Sequence, residues 1–271
     1  MDLGAKGFLL GGAVVAAAML PATGRAQDTA RSPRDAQPER PTVATHAGTV
    51  ARGFLEIESG VERDRGPGDA RNAIGVFVAK VGLARRVQLL LFTTASAPGS
   101  ASLGAGDMAV GVKWRLLESN RVLGDFAVLP SLKIPTGSAE NGTGTGTTDA
   151  SLLVISSRDV GPVHIDLNAG WTYRNGSESV PRDAWVWTAS FGGALRGPVG
   201  WTVEWYGYPG TGGDAGSDPI VALLAGPMWT ARNWLVFDVG LVVPVAGGQP
   251  RAIFGGVTYN VGQLFGKRPK P

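Results

Sequence analysis

From about residue 51 to residue 265 the chain alternates short apolar segments of period two with connections that are short, then long, then short again. Period-two alternation places every second side chain on one face of a strand. Segments near 51–60, 73–83, 86–95, 105–117, 121–134, 147–157, 161–174, 184–196, 199–208, 219–231, 233–245 and 250–265 therefore read as about twelve strands. Tight turns stand at Ala84-Arg85, Glu118-Ser119-Asn120, Arg158-Asp159-Val160, Gly197-Pro198 and Ala231-Arg232. Longer loops, rich in Gly, Pro or charge, stand at 61–72, 96–104, 135–146, 175–183 and 209–218. Short turns on one rim, long loops on the other and an even strand count are the pattern of an all-β, up-and-down antiparallel transmembrane β-barrel. A strand tilted about 45° crosses a bilayer in about 9–11 residues, and most of these segments reach that length. A soluble sandwich would not require such strict alternation of turn lengths.

The better strands also show which way they face. Met108, Val110, Val112, Trp114 and Leu116 share one parity, and Asp107, Lys113 and Arg115 the other. Val163, Ile165, Leu167, Ala169, Trp171 and Tyr173 oppose His164, Asp166, Asn168 and Thr172. Leu235, Phe237, Val239, Leu241 and Val243 oppose Asp238 and Gly240. A Lys or Arg exposed to lipid at mid-depth costs about 2–4 kcal/mol, so the apolar parity is expected toward lipid and the polar one toward the lumen. Segments 86–95, 147–157 and 219–231 alternate poorly, and their faces stay unassigned. Trp114, Trp201, Trp229 and Trp234 adjoin short turns, while Trp171, Tyr173, Trp185, Trp187, Trp205 and Tyr208 adjoin long loops. Indole and phenol rings prefer the two membrane interfaces, so two girdles are expected. Trp234 breaks the pattern by sharing parity with Asp238, which calls for a bulge or a lumen-facing ring.

The first 50 residues have a different character. The run from Phe8 to Leu20 follows Lys6, is too short to span a bilayer as a helix, and ends at Pro21. Gly24-Arg25-Ala26 offers small residues to a signal peptidase, so 1–26 reads as a signal peptide cleaved after Ala26. Residues 27–50 carry Pro33, Pro38, Pro41 and many charges, and read as a disordered periplasmic linker. The barrel then occupies 51–265, with 266–271 as a C-terminal tail. Hydrophobic residues make up 44% of the chain and charged residues 17%, a low charge content for a soluble domain and an expected one for a lipid-facing exterior. Cysteine is absent, which removes disulfides, thiolate metal sites and Cys nucleophiles. The net charge is only +3, and the one basic block is Lys267-Arg268-Pro269-Lys270, so nucleic acid is not an expected partner.

Several stretches carry a family likeness. Gly106-Asp107 with Gly111-Val112-Lys113, then Lys133-Ile134-Pro135-Thr136-Gly137 before Gly142, Gly144, Gly146 and Asp149, resemble outer-membrane proteins of the MetA-pathway of phenol degradation family. Asn168-Ala169-Gly170-Trp171 is similar to that family's next strand. The likeness covers about 51–265, and its Lys-x-Pro-Thr-Gly block is the most specific part. It implies an outer-membrane channel or transporter associated with uptake of aromatic compounds. One departure concerns the end of the chain. Outer-membrane barrels usually close on an aromatic residue, and Phe265 is in step with Val257, Tyr259 and Val261, yet Gly266 to Pro271 extend past it.

The inward parity collects Glu56, Glu58, Lys80, Asp107, Lys113, Arg115, Asp125, Lys133, His164, Asp166, Glu204, Asp238 and Arg251 as lumen-lining candidates. A salt-bridge lattice filling the barrel and a hydrated polar conduit both accommodate such a set. Twelve strands lie between filled eight-stranded barrels and open porins of 16–18 strands, so strand count leaves both open. His164 and Asp166 share a face, but a hydrolase also needs a Ser in contact with the His, and no Ser stands at a telling spacing. No cofactor, metal ligand set or catalytic residue is expected; a single barrel His makes a transition-metal site improbable. Gly142-Thr143-Gly144-Thr145-Gly146 lacks the Lys-Ser/Thr and helix of a phosphate loop. The expectation is a bacterial outer-membrane protein, exported through the periplasm, that is a channel or passive transporter for small solutes. A plugged structural or ligand-binding barrel is the alternative, and a membrane-embedded hydrolase a remote one. Lipid, lipopolysaccharide and a small solute are the expected partners.

Overall fold

The structure is a computed structural model that describes residues 32–65, 71–97, 103–175, 181–209, 219–248 and 250–266. The expected signal peptide at 1–26, residues 27–31 of the expected linker and the tail beyond Gly266 lie outside the described residues. The strands are β1 (Phe54–Arg65), β2 (Arg71–Ala84), β3 (Val87–Ser96), β4 (Gly104–Ala105), β5 (Met108–Asn120), β6 (Gly124–Ile134), β7 (Asp149–Val160), β8 (Val163–Tyr173), β9 (Asp183–Arg196), β10 (Val199–Tyr208), β11 (Ile220–Arg232), β12 (Leu235–Ala246) and β13 (Arg251–Gln263). β4 is a two-residue piece against the end of β3. Every other strand pairs antiparallel with its neighbour in sequence, and β13 pairs with β1. The sheet thus closes as a twelve-stranded barrel, and closure leaves no unpaired edge in the membrane. The β1–β2 ladder runs out to Arg65↔Arg71, farther than the sequence boundaries of 60 and 73, although Glu62-Arg63-Asp64 shows no apolar alternation.

The barrel is inverted relative to a water-soluble protein. Leu91, Trp114, Leu132, Leu152, Leu167, Phe237, Leu241 and Ile253 are exposed, while Glu56, Lys80, Lys113, Glu204 and Asn260 are wholly buried. Lys and Glu are almost never buried in soluble folds unless paired. The strands with unassigned faces have apolar inward residues: Leu90 and Phe92 on β3, Ile155 on β7, and Ile220, Ala222 and Leu224 on β11. Their sequences do not alternate because the lumen they face is itself partly apolar.

Most of the expected girdle aromatics are exposed, including Trp114, Tyr173, Trp185, Trp187, Trp205 and Trp229. Tyr208 is an exception. It lies on the inward parity with Tyr206, the two rings meeting edge-on at 6.2 Å. Trp234 lies in the turn before β12, so strand parity does not govern it; its ring meets Tyr259 at 5.6 Å.

The expected linker is where the structure departs most from the sequence reading. Residues 32–51 are not a free tail but a plug within the barrel, without helix or strand. The segment enters at the short-turn rim, where Ala36 N–H donates to Asn233 O and Arg34 lies 4.9 Å over the Trp234 ring. It returns to the same rim, where Gly53 N–H donates to Gly82 O. Between those points Ala44, Ala47 and Val50 are buried, and Ala47 packs with Ala127 and Ile155 of the wall. Apolar burial alone would not order such a segment, whose backbone has few partners of its own, among them Asp35 N–H to Ser32 O. The barrel wall supplies more.

Candidate functional site

Six polar side chains on the inward face hold the plug through its backbone. Glu56 and Glu58 accept the backbone N–H groups of Gln37 and Glu39, each at 2.7 Å. Glu204 accepts both Val43 and Ala44 N–H, at 2.8 and 2.7 Å. Asn168 accepts from Thr45 N–H and donates to Thr45 O, as a strand partner would. Ser157 and Gln88 accept from Ala47 and Val50 N–H, each at 2.8 Å. A buried carboxylate is tolerated when such donors or a cation compensate its lost hydration.

Two lysines tie the plug to the wall by charge. Lys80 Nζ lies 2.7 Å from both Glu56 and Glu58 and donates to Gln37 O. Lys113 Nζ bonds Glu39, Thr45 Oγ1, His46 O and Gly48 O. Burial raises the Glu39 carboxyl, but Lys113 and Lys80 outweigh it and hold it well below the usual carboxylate range. Burial and then the Lys113 charge push the His46 imidazole down to about 4, so it sits neutral beside Gln37 O. Arg40 pairs with Asp238.

The remaining candidates divide among three places. Arg115 and Asp125 lie at the short-turn rim, 3.5 Å apart, and Arg115 also pairs with Glu118. His164 is held between Asp159 at 2.6 Å and Asp166 at 3.2 Å. Ser157 does contact this group, but its hydroxyl bonds Asp166 at 2.5 Å and accepts from Ala47 N–H. With both imidazole nitrogens on carboxylates, His164 offers no base to a Ser nucleophile. Arg251 is the candidate the structure contradicts. It pairs with Arg65 on the parity of Ile253, which is 54% exposed, and so faces outward. As the first residue of β13 it stands at the long-loop rim, where a cation escapes the hydrocarbon that would forbid it deeper.

Asp107 and Lys133 belong to a vestibule in the long-loop half, a cavity of about 720 Å³. Lys133 bridges Asp107 at 3.3 Å and Asp149 at 2.7 Å. Asp107 also accepts Gly137 N–H at 3.1 Å and Thr145 N–H at 2.9 Å. Burial raises the Asp107 carboxyl, but these backbone donors prevail and hold it below its usual value. They fold the 135–148 loop inward so that Gly142 to Thr145 line the cavity. Gly137 and Gly144 permit this, since a Cβ on Gly144 would stand 2.5 Å from Asp107 Oδ1 and 2.7 Å from the Gly137 carbonyl carbon. The loop is thus tied down against the wall.

The vestibule has two kinds of wall. Thr94, Ser131, Ser151, Thr172 and Lys133 line one side. Phe92, Ala109, Ala184, Val186 and Tyr208 are the vestibule's apolar lining, and Tyr208 packs in turn on a buried cluster across β10 to β13, made of Tyr206, Ala222, Leu224, Val242, Ala252 and Phe254. Glu39, Arg40, His46, Gln88 and Ser157 are the functional residues that parity reasoning missed. A usable signal was present: the predicted inward set holds more carboxylates than cations, so donors had to come from elsewhere.

A family model matches residues 39–250. The chain belongs to the MetA-pathway of phenol degradation family. The family match begins inside the plug, at Glu39, so the MetA-pathway model embraces the segment that fills the barrel as well as the barrel itself. Among solved structures, this family member is similar to a COG4313 outer membrane channel from Pseudomonas putida F1, with a TM-score of 0.62 at 14% identity over 79% of this chain and 97% of that one. It is also similar to the KdgM porin, with a TM-score of 0.50 at 11% identity over 75% of this chain and 98% of that one. At such identities the likeness is one of fold, that of an outer-membrane β-barrel. No curated protein sequence matches the chain.

Proposed function

We propose that the protein is a passive outer-membrane channel for small solutes, with aromatic or hydrophobic compounds bearing a polar group as its preferred class. The two-sided vestibule carries this reading. A solute with an apolar ring and a hydroxyl or carboxylate can meet the apolar Phe92, Ala184, Val186 and Tyr208 and the polar Ser131, Ser151 and Thr172 together. Pockets that bind small molecules commonly pair an apolar lining with a few placed polar groups. The family's phenol-degradation description and the channel named in the Pseudomonas structure support the same reading. The vestibule is the entry, and the plug sets the narrowest section. The protein acts without chemistry of its own.

The wall's satisfaction of so many plug N–H groups favours a second reading, a closed barrel whose vestibule binds ligand without passing it. Conductance in planar bilayers separates the two. The channel reading predicts small, reproducible steps from the intact chain, steps several-fold larger when residues 32–50 are removed, and block by added aromatic solute. Silence from both proteins, with the barrel folded, would leave only the closed-barrel reading.

A further inference from the structure

The five short turns share a feature that neither the lumen nor the plug explains. Each places an arginine beside an exposed apolar side chain: Arg85 near Leu83, Arg121 beside Val122, Arg158 near Val160, Arg196 beside Leu195, and Arg232 near Trp229. Val122 and Leu195 are 79% and 68% exposed, as side chains dipping into acyl chains would be. Among the described residues the carboxylates in and beside these turns already have partners. Glu118 binds Arg85, Arg86 and Arg115, Asp125 binds Arg115, and Asp159 binds His164. Among the described residues Arg121, Arg158, Arg196 and Arg232 have no carboxylate partner. Arg158 donates to Arg121 O and Arg232 to Ala231 O, each at 2.8 Å, which orders two of these side chains and leaves guanidinium donors over.

We propose that the short-turn rim is a docking surface for anionic phospholipid headgroups, bound by Arg121, Arg158, Arg196 and Arg232. The planar guanidinium matches a phosphodiester through paired N–H donors and stays charged at any relevant pH. Its aliphatic stem lies along the apolar interface while its head reaches the phosphate plane. The neighbouring Val122, Val160, Leu195 and Trp229 set the depth at which that plane falls. Basic side chains at a membrane surface gain from net-negative lipid and gain less as salt rises. The occupant is therefore the membrane leaflet the rim already touches, not a soluble anion, and the surface acts whether or not solute passes through the lumen.

The mature chain reconstituted in phosphatidylcholine vesicles, with trace spin-labelled phosphatidylglycerol or phosphatidylcholine, gives the relative association constant of the two lipids from the motionally restricted fraction. The expected result is a preference for phosphatidylglycerol of about threefold or more at low salt, falling to near one in 0.5 M NaCl. The same loss is expected for the chain carrying Arg121→Gln, Arg158→Gln, Arg196→Gln and Arg232→Gln, with its barrel verified by heat-modifiable gel migration. A wild-type ratio near one overturns the proposal, and so does a preference that survives the four substitutions. The salt series uses the wild-type chain alone, so it decides the matter even if that variant does not fold.

Discussion

Arg40 and Asp238 stand 198 positions apart in the chain and meet inside the barrel, with the guanidinium NH2 3.2 Å from Oδ1. The side chains are 13% and 2% exposed, so each has given up most of its water for the other. Removing one partner of a buried pair is destabilising by about 3–5 kcal/mol, and a partly hydrated pair lies at the low end. Asp238→Asn should therefore loosen the plug by about 3 kcal/mol and leave the sheet intact. Thermolysin cleavage within residues 32–50 should accelerate at least tenfold, while heat-modifiable gel migration of the barrel stays unchanged.

The slot that admits Arg40 is made of absent side chains. Gly60 and Gly256 are cross-strand partners, and a Cβ on either would lie within 2.7 Å of guanidinium atoms. Gly256→Val should exclude Arg40 from Asp238 and enlarge single-channel steps. Gly255→Val makes a fitting control: a Cβ there meets nothing nearer than Asp238 O at 3.5 Å, and it should leave the steps as they are. Equal effects from the two would show that strand strain, not Arg40, is responsible.

Acid should release the plug. His46 faces Lys113, Glu39, Asp166 and Lys80, and seated it titrates at about 4 against an ordinary 6.5. A released His46 takes up its proton first, so its contribution to seating is complete above pH 6.5 and declines as pH falls toward 4. The loss is at most about 3 kcal/mol. Glu39, held low by the lysines, acts in the same sense once pH drops below the ordinary carboxylate range. Conductance recorded from pH 7.5 to pH 4.5 should rise through this window, and His46→Gln should flatten its upper part. A rise at alkaline pH would contradict the assignment.

How much of this was legible depends on how different the two sides of a strand are. On β8 the outward Val163, Ile165 and Leu167 and the inward His164, Asp166 and Asn168 face hydrocarbon and polar surroundings, so parity alone orients the strand. On β11 both sides are apolar, because Ala222 and Leu224 face the cluster around Tyr206 and Phe254, and no period survives to read. Tyr208 adjoins a long loop and so reads as a girdle residue, although its even number puts it inside with Tyr206. Arg251 reads as inward for its charge, although its parity is that of Ile253. The plug was hidden for another reason. Its charges and prolines resemble a linker, and its order comes from side chains on strands far away in sequence. From Pro41 to Ala51 it carries no Asp, Glu, Lys or Arg, a change of composition within 27–50 that a finer division marks.

In the vestibule, Asp107 holds the inward fold of the 135–148 loop through Gly137, Thr145 and Lys133. Asp107→Ala removes the acceptor for two backbone donors, at a cost of about 1–3 kcal/mol for each donor that water does not reach. The loop should then gain proteolytic sensitivity and the channel should lose part of its discrimination among aromatic solutes, with plug cleavage unchanged. Altered plug cleavage would mean that the two halves of the lumen are coupled.

The central claim is that residues 32–51 lie inside the barrel, held by inward polar side chains while the apolar parity faces lipid. The chain has no cysteine, so an engineered pair reports without background. Ala47 N–H lies 2.8 Å from Ser157 Oγ, whereas Leu152 is on the outward parity of the same strand, β7, and is 42% exposed. Folded Ala47→Cys/Ser157→Cys protein should form a disulfide on mild oxidation, seen as a gel shift reversed by reductant, and Ala47→Cys/Leu152→Cys protein should not. Free thiols in the first protein, or equal cross-linking in both, would contradict the account.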